Sequence, residues 1–209
     1  MQYIEQYKGQ TDANLIACYV SGERYYDNGY IKPFYAVGTH GRHPVGHEMA
    51  DFLLFYGKKK HVCYGNGTPS CALMASKETF IAVGGFDVNF RRLEDVDFAI
   101  KLALTGGHFI GCSETLLIQH ATQAPDKAPE KNLQAEQALA KKYREYLETR
   151  HRFDYAWRWP LLRFYHFKRR YFLLAWHLGL LLLRHPLTVI KHALQTFPRR
   201  LLHDIRINK

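Results

Sequence analysis

Two pairs of glycines enclose the segment that most constrains how this chain can fold. Gly84-Gly85 precede an aromatic residue and a group of acids, and Gly106-Gly107 follow an apolar run at 98–104; the acids are Asp87, Glu94, Asp95 and Asp97. Glycine pairs favour turns, whereas the apolar run has helical spacing. The segment is therefore predicted to be a turn, then a helix that begins at the acids and ends before Gly106.

The acids at the start of this helix have two interpretations. Carboxylates near a helix N-terminus are stabilised by the free backbone N–H groups and the helix dipole, so they stay ionised and point out of the helix end. Many such residues only cap the helix, and this is how we interpret Asp97, as a cap or helix-face residue. A carboxylate fixed at the mouth of a cleft can also act as a general base.

The elements on either side of the acids have an order of their own. Residues 70–75 are predicted to be a strand and 77–83 a short helix, ahead of the glycine turn at 83–87. Two strands are predicted after the acidic helix, at 108–111 and 116–120. Earlier in the chain, 15–20 is predicted to be a strand and 45–56 a helix.

This order resembles the second half of an inverting family 2 glycosyltransferase, which has the GT-A fold. The family pattern of Val-Gly-Gly-Phe-Asp, Glu-Asp-x-Asp, Gly-Gly and a closing His is found in that order between Ser70 and His120. The resemblance implies an α/β fold: an incomplete GT-A-like mixed sheet with flanking helices, in a partial catalytic domain at 1–123.

The resemblance also implies roles for particular residues. Asp95 would be the base that takes the proton of the acceptor hydroxyl, and Glu94 would orient the acceptor or the base. The acceptor side of the cleft would be shaped by Gly84, Gly85, Phe86 and Asp87. His120 would contact a metal or a diphosphate, although a strand-end histidine bonded to backbone explains it equally well.

The donor side of the family pattern is not visible. Family members hold Mg²⁺ or Mn²⁺ on the donor diphosphate with an Asp-x-Asp that precedes the base, and none precedes Asp95 here. Residues 1–69 show no clear βαβ pattern. We therefore expect this chain alone to bind nucleotide sugars weakly or not at all. Three explanations are open: the chain is a fragment, a partner chain supplies the donor site, or the donor is held in another way.

Charge and apolar residues are concentrated at the end of the chain. The formal net charge is +10, and all of the excess lies in residues 150–209. The apolar run at 172–183 is shorter than the roughly 20 residues that span a bilayer. Pro186 is predicted to start a new helix. The apolar side of that helix carries Leu187, Ile190, Leu194 and Phe197.

Basic amphipathic helices of this kind bind anionic membrane surfaces. We therefore predict a Pro-containing hinge and charged helix at 124–150, with the helix at 130–150, followed by membrane-surface helices at 151–209. The protein would be peripheral, on the cytoplasmic face of the inner or plasma membrane. It would transfer sugar to a glycan or lipid-linked acceptor in surface polysaccharide synthesis.

Other readings of the chain stay open. The tail could be a helical pair that packs on the catalytic domain. The protein could be a non-catalytic membrane scaffold. A basic nucleic-acid-binding protein is less favoured, because the tail is as apolar as it is basic.

The chain has four cysteines without the spacing of a metal finger. Cys71 and Cys112 lie in apolar runs and are predicted to be buried thiols.

Overall fold

The computed structural model describes residues 2–121 and 128–207. The chain divides into two compact units, Met1–Ala121 and Thr122–Lys209.

The first unit is an α/β structure with a mixed four-stranded sheet and flanking helices, as the sequence predicts. Its elements are α1 (Gln2–Lys8), β1 (Ile16–Tyr25), β2 (Ile31–Phe34), α2 (His47–Phe55), a 3₁₀ turn (Ser70–Ala72), β3 (Leu73–Ala75), α3 (Lys77–Ala82), α4 (Glu94–Leu104) and β4 (His108–His120).

Strand β1 is the centre of the sheet. Strand β4 runs parallel to it along its whole length, from Ile16 opposite His108 to Tyr25 opposite His120. The short strands β2 and β3 pair antiparallel with β1 at its residues 22–25 and 17–19, and so share its other edge. Strand β1 is consequently longer than the predicted 15–20.

The predicted break between strands at 108–111 and 116–120 is wrong, because β4 is continuous. The polar residues in the middle of β4, at 113–115, are typical of a loop in sequence, but in the structure they form a bulged part of the strand. The register shifts on either side of Ser21, so Ser113, Glu114 and Leu116 have no partner on β1, and all three are exposed. A bulge of this kind absorbs extra residues without ending the strand. The Ser21 hydroxyl donates to the Cys112 carbonyl at 2.9 Å and accepts from the Ala36 N–H at 3.0 Å.

The predicted strand at 70–75 is only half correct. Its first three residues form the 3₁₀ turn, closed by the Ala72 N–H donating to the Pro69 carbonyl at 3.0 Å. Small residues fit a tight turn as well as a strand, which is why the sequence does not distinguish them. The turn leaves Cys71 exposed, so its predicted burial is wrong, whereas Cys112 is buried as predicted.

The core of the first unit holds helix α4 firmly. Helices α2 and α4 pack together, and α4 buries Phe98, Ile100 and Leu102 completely. Helix α1 packs Ile4 with Ile16 of the sheet. Burying side chains of this size contributes about 1.5–3 kcal/mol each to the stability of the fold. The packing therefore fixes the position of α4 and of the residues at its start.

The second unit is helical in its described part. Its helices are α5 (Pro129–Lys142), α6 (Arg144–Thr149), α7 (Phe153–Phe167), α8 (Tyr171–Arg184) and α9 (Pro186–Ile207). The single charged helix predicted at 130–150 is two helices that meet at Tyr143. Pro186 begins α9 as predicted. Of the predicted hinge, residues 124–127 lie outside the described residues.

Contacts between side chains join these helices into a bundle. Ion pairs Arg163–Glu136 and Lys168–Glu130 link α7 to α5. Asp154 of α7 accepts from Arg184 of α8 at 2.9 Å. The Tyr155 hydroxyl lies 2.6 Å from Nδ1 of His192 and so links α7 to α9.

None of the helices in the described ranges is long and apolar enough to cross a membrane.

Candidate functional site

Helix α4 begins at an unusual backbone turn. Leu93, just before it, has φ 64° and ψ 19°, the left-handed conformation. This conformation costs a residue with a Cβ about 1–2 kcal/mol, and the N–H of Asp97 closes the first helical turn on the Leu93 carbonyl at 2.8 Å. The buried body of α4 maintains the turn, which brings Leu93, Asp95 and Val96 to the wall of a pocket.

The pocket has a volume of about 330 Å³. Its wall is drawn from β1, β2, β4, the loop before the 3₁₀ turn and the start of α4. It is lined by Arg24, Lys32, Phe34, Asn66, Gly67, Thr68, Pro69, Leu93, Asp95, Val96 and Gln119. Most of these residues belong to the first 70, for which the sequence predicts no function.

Asp95 presents a half-buried carboxylate to this pocket. Its Oδ1 accepts from the Val96 N–H at 2.8 Å. Burial raises the pKa of Asp95 above its ordinary value, and the charge of Glu94 acts in the same direction, while the N–H groups of Val96 and Ser70 oppose them. A raised pKa makes the ionised carboxylate a stronger base than an exposed aspartate.

Two buried hydroxyls adjoin this carboxylate. Tyr19 is buried, and both its burial and the charge of Asp95 raise the pKa of its phenol, which is neutral. Thr68 is buried in the pocket wall beside it. The two hydroxyls are neighbours whose geometry falls short of a hydrogen bond, and among the described residues neither has another hydrogen-bond partner. Both hydroxyl oxygens are shielded from solvent, so they belong to the polar interior beside Asp95.

Glu94 and Asp97 differ from Asp95 in their placement. Glu94 is half-buried and is not part of the pocket wall. The acids at this helix start are predicted to point out of the helix end. Asp97 does not, because it is fully buried. Two residues along a helix correspond to a turn of about 200°, so Asp97 lies on the inward face. Its Oδ2 is 3.6 Å from Nζ of Lys101.

The glycine turn is attached to the same helix. Nζ of Lys101 donates to the Gly85 carbonyl at 2.6 Å. Gly84 and Gly85 have φ of 71° and 63°, a region that favours glycine. The Phe86 ring packs against Phe98, with centroids 5.2 Å apart.

The four residues expected on the acceptor side do not line the pocket. Gly84, Gly85, Phe86 and Asp87 are all absent from its wall. Asp87 instead accepts from both the backbone and the side-chain N–H groups of Asn89, at 3.0 and 2.9 Å. Their role in binding an acceptor stays a prediction.

His120 also lies outside the pocket wall. It is exposed at the end of β4, and its ring is 5.9 Å from that of its strand partner Tyr25. Because side chains alternate along a strand and Gln119 lines the pocket, His120 points to the opposite face.

A metal role for His120 stays a prediction. Over residues 2–121 and 128–207, no three or more His, Cys, Asp or Glu side chains are grouped so that they could hold a metal ion. Asp95 is the one carboxylate that the described residues bring to the pocket wall, and a single carboxylate does not by itself make a site for Mg²⁺ or Mn²⁺.

Comparisons of the chain with protein-family models, with curated proteins and with solved structures found no match. What the pocket can do is therefore inferred from its own residues. A basic carboxylate and two cations, Arg24 and Lys32, suit a polar ligand whose hydroxyl loses a proton to Asp95.

Proposed function

We propose that this protein acts in inverting sugar transfer, with Asp95 as the general base. Two independent features support the proposal. One is the ordered set of motifs from Ser70 to His120, which resembles the acceptor half of a family 2 glycosyltransferase. The other is the environment of Asp95, which is the observation that carries the proposal: a half-buried carboxylate with a raised pKa that opens on a pocket.

The chemistry assigned to the pocket is a single displacement. An acceptor hydroxyl gives its proton to the Asp95 carboxylate, and its oxygen forms a bond to the anomeric carbon of the sugar. The bond from that carbon to the nucleoside diphosphate breaks, and the diphosphate leaves with the electron pair. Attack from the side opposite the leaving group inverts the anomeric configuration.

The Val96 N–H has a supporting part in this step. Its hydrogen bond fixes the Asp95 carboxylate, so the base is already oriented when the acceptor binds.

The proposal is tested by restoring transfer to membranes. Membranes from cells that lack this protein are supplied with the purified chain and radiolabelled UDP- and dTDP-sugars, so that any partner with a donor site is present. We expect incorporation of label into glycan or lipid-linked product, with inverted anomeric configuration by NMR. Membranes that incorporate no more label with the chain than without it would refute the proposal.

The pH dependence of transfer is a separate expected result. A base works only when ionised, so the rate should fall by about tenfold per pH unit below the pKa of Asp95. Because that pKa is raised, the fall should begin at a higher pH than for an ordinary aspartate. Removing the neighbouring charge with Glu94→Gln should lower the pKa of Asp95 and move the fall to lower pH.

The matched control for this prediction is Glu114→Gln, which removes an exposed acid of the β4 bulge. It should leave the pH profile in place. A profile that does not move with Glu94→Gln, or that moves equally with both variants, would contradict the assignment.

The second unit supports a location at an anionic membrane surface. In α8, Phe172, Trp176 and Leu183 are exposed. In α9, the predicted apolar side is also exposed at Leu187, Ile190, Leu194 and Phe197. Exposed basic side chains lie close to them in sequence, at Arg169, Arg170 and Lys191. We propose that these faces insert into the lipid interface while the cations meet lipid phosphates, on the cytoplasmic side of the membrane.

Vesicle binding should depend on the exposed side of α9. The double variant Leu194→Asp, Phe197→Asp is expected to weaken binding to phosphatidylserine-containing vesicles by on the order of 100-fold, because each side chain contributes about 1.5–3 kcal/mol when buried. Flotation measures it. The control Val88→Asp changes an exposed apolar residue of the first unit and should bind as the wild type does. Tighter binding to duplex DNA than to vesicles would instead support the nucleic-acid reading.

A further inference from the structure

The pocket beside Asp95 carries more positive than negative charge. Arg24 of β1 is the strand partner of both Lys32 of β2 and Gln119 of β4, so the three side chains form a row across the sheet. All three line the pocket, and the acid in the pocket wall is Asp95. With Asp95 ionised, the wall has two cations against one carboxylate, which favours an anionic ligand.

The guanidinium of Arg24 is held in place. Its Nε and one terminal nitrogen donate to Oε1 of Gln119, at 2.9 and 2.5 Å. Arginine has five N–H donors in a planar fork, and Gln119 uses two of them. An oriented guanidinium that keeps further donors is suited to a phosphate or carboxylate.

Phe34 defines another part of the ligand. It presents part of its ring to the pocket, and its position depends on Gly22: a Cβ there would lie 2.5 Å from the ring and 2.4 Å from the Leu117 carbonyl. An apolar ring surface in the same pocket as a carboxylate suits the face and the hydroxyls of a sugar.

We propose that this pocket binds an acceptor that carries an oxyanion, with Arg24 and Lys32 holding the anion while a hydroxyl of the same ligand meets Asp95. This proposal rests on the proposed function and adds the chemical class of its acceptor. The oxyanion is either the phosphate of a phosphorylated or lipid-linked sugar or the carboxylate of an acidic sugar. A volume of about 330 Å³ is at the lower end of the range for ligand pockets, which suits one sugar with its anion.

The test is a binding titration of the full chain, at fixed ionic strength, with four probes: glucose 1-phosphate, glucuronate, neutral glucose and UDP. We expect glucose 1-phosphate or glucuronate to bind at least about tenfold more tightly than glucose. Whichever of the two binds more tightly identifies the source of the anion. Arg24→Gln and Lys32→Gln should each reduce this preference. The control Lys60→Gln, at an exposed lysine outside the pocket wall, should retain it.

Two results would overturn the proposal. One is equal binding of charged and neutral sugars by the wild type. The other is tighter binding of UDP than of either charged sugar, lost in Arg24→Gln, because the cations would then serve the donor diphosphate. A failure of the anionic-acceptor proposal can be distinguished from a failure of the proposed function. A missing preference alongside transfer that needs Asp95 refutes only the anionic acceptor, whereas transfer that does not need Asp95 refutes the base.

Discussion

Replacing Asp95 by asparagine should lower the rate of sugar transfer at least about 100-fold, because a positioned general base contributes 10²–10⁴-fold. The amide has nearly the shape of the carboxylate and can still accept from the Val96 N–H, but it cannot take a proton. The loss should therefore appear in the rate at saturating acceptor more than in acceptor affinity. The measurement is initial-rate kinetics of label incorporation.

The fold should tolerate this substitution. Asp95 is only half-buried, and the amide removes a charge whose burial is unfavourable. The free energy of unfolding is therefore expected to change by less than about 1 kcal/mol. The matched control is Asp12→Asn, which removes the same charge from an exposed position of the first unit and should retain wild-type transfer.

Replacing Lys101 by methionine should destabilise the first unit by about 1–3 kcal/mol. The carboxylate of Asp97 is fully buried, and its Oδ2 is 3.6 Å from Nζ of Lys101. Removing one partner of a buried ion pair is destabilising, by up to about 3–5 kcal/mol when the remaining charge has no other partner, and Lys101 is itself partly exposed. The variant also loses the bond from Nζ to the Gly85 carbonyl. Urea unfolding measures the loss in free energy of unfolding, and amide hydrogen exchange, measured separately, shows whether α4 is affected.

A second substitution distinguishes an ion pair from a general effect of losing the lysine. In the double variant Asp97→Asn, Lys101→Met the buried charge is absent, so most of the lost stability should return. Lys60→Met, at an exposed lysine, should change the free energy of unfolding by less than about 0.5 kcal/mol. A loss below about 1 kcal/mol for Lys101→Met would show that the pair does not stabilise the fold.

Local patterns in the sequence predict the helix that carries Asp95. The glycine pairs and the apolar spacing between them place α4 within a residue or two of its observed Glu94–Leu104. The same kind of signal locates α2, α3 and the start of α9 at Pro186. These features depend on residues within a few turns of one another, which is why periodicity and turn residues are sufficient.

The pocket could not be predicted in the same way, because its wall is assembled from distant parts of the chain. Arg24 and Lys32 meet through a tight hairpin in which Tyr26 and Tyr30 are hydrogen-bonded. Gln119 joins them through the parallel pairing of β4 with β1, 95 residues away in sequence. Strand register over such a distance is set by the packing of the whole sheet, and the sequence offers no local sign of it.

The burial of Asp97 did have a local signal. It lies directly before Phe98 and one helical turn before Lys101, among residues that α4 buries. An acid in a buried helical position with a lysine four residues later indicates an internal ion pair. The helix start by itself predicts that all the acids alike point out of the helix end. Helical phase separates Asp95, which opens on the pocket, from Asp97, which does not.

The central claim is that the Asp95 carboxylate is the base for sugar transfer, and one comparison tests it most directly. Membranes that lack the protein receive equal amounts of wild type, Asp95→Asn or Asp12→Asn, each shown to be folded, and the initial rate of label incorporation is measured. We predict equal rates for wild type and Asp12→Asn and a rate at least about 100-fold lower for Asp95→Asn. Transfer by Asp95→Asn at the wild-type rate would contradict the claim.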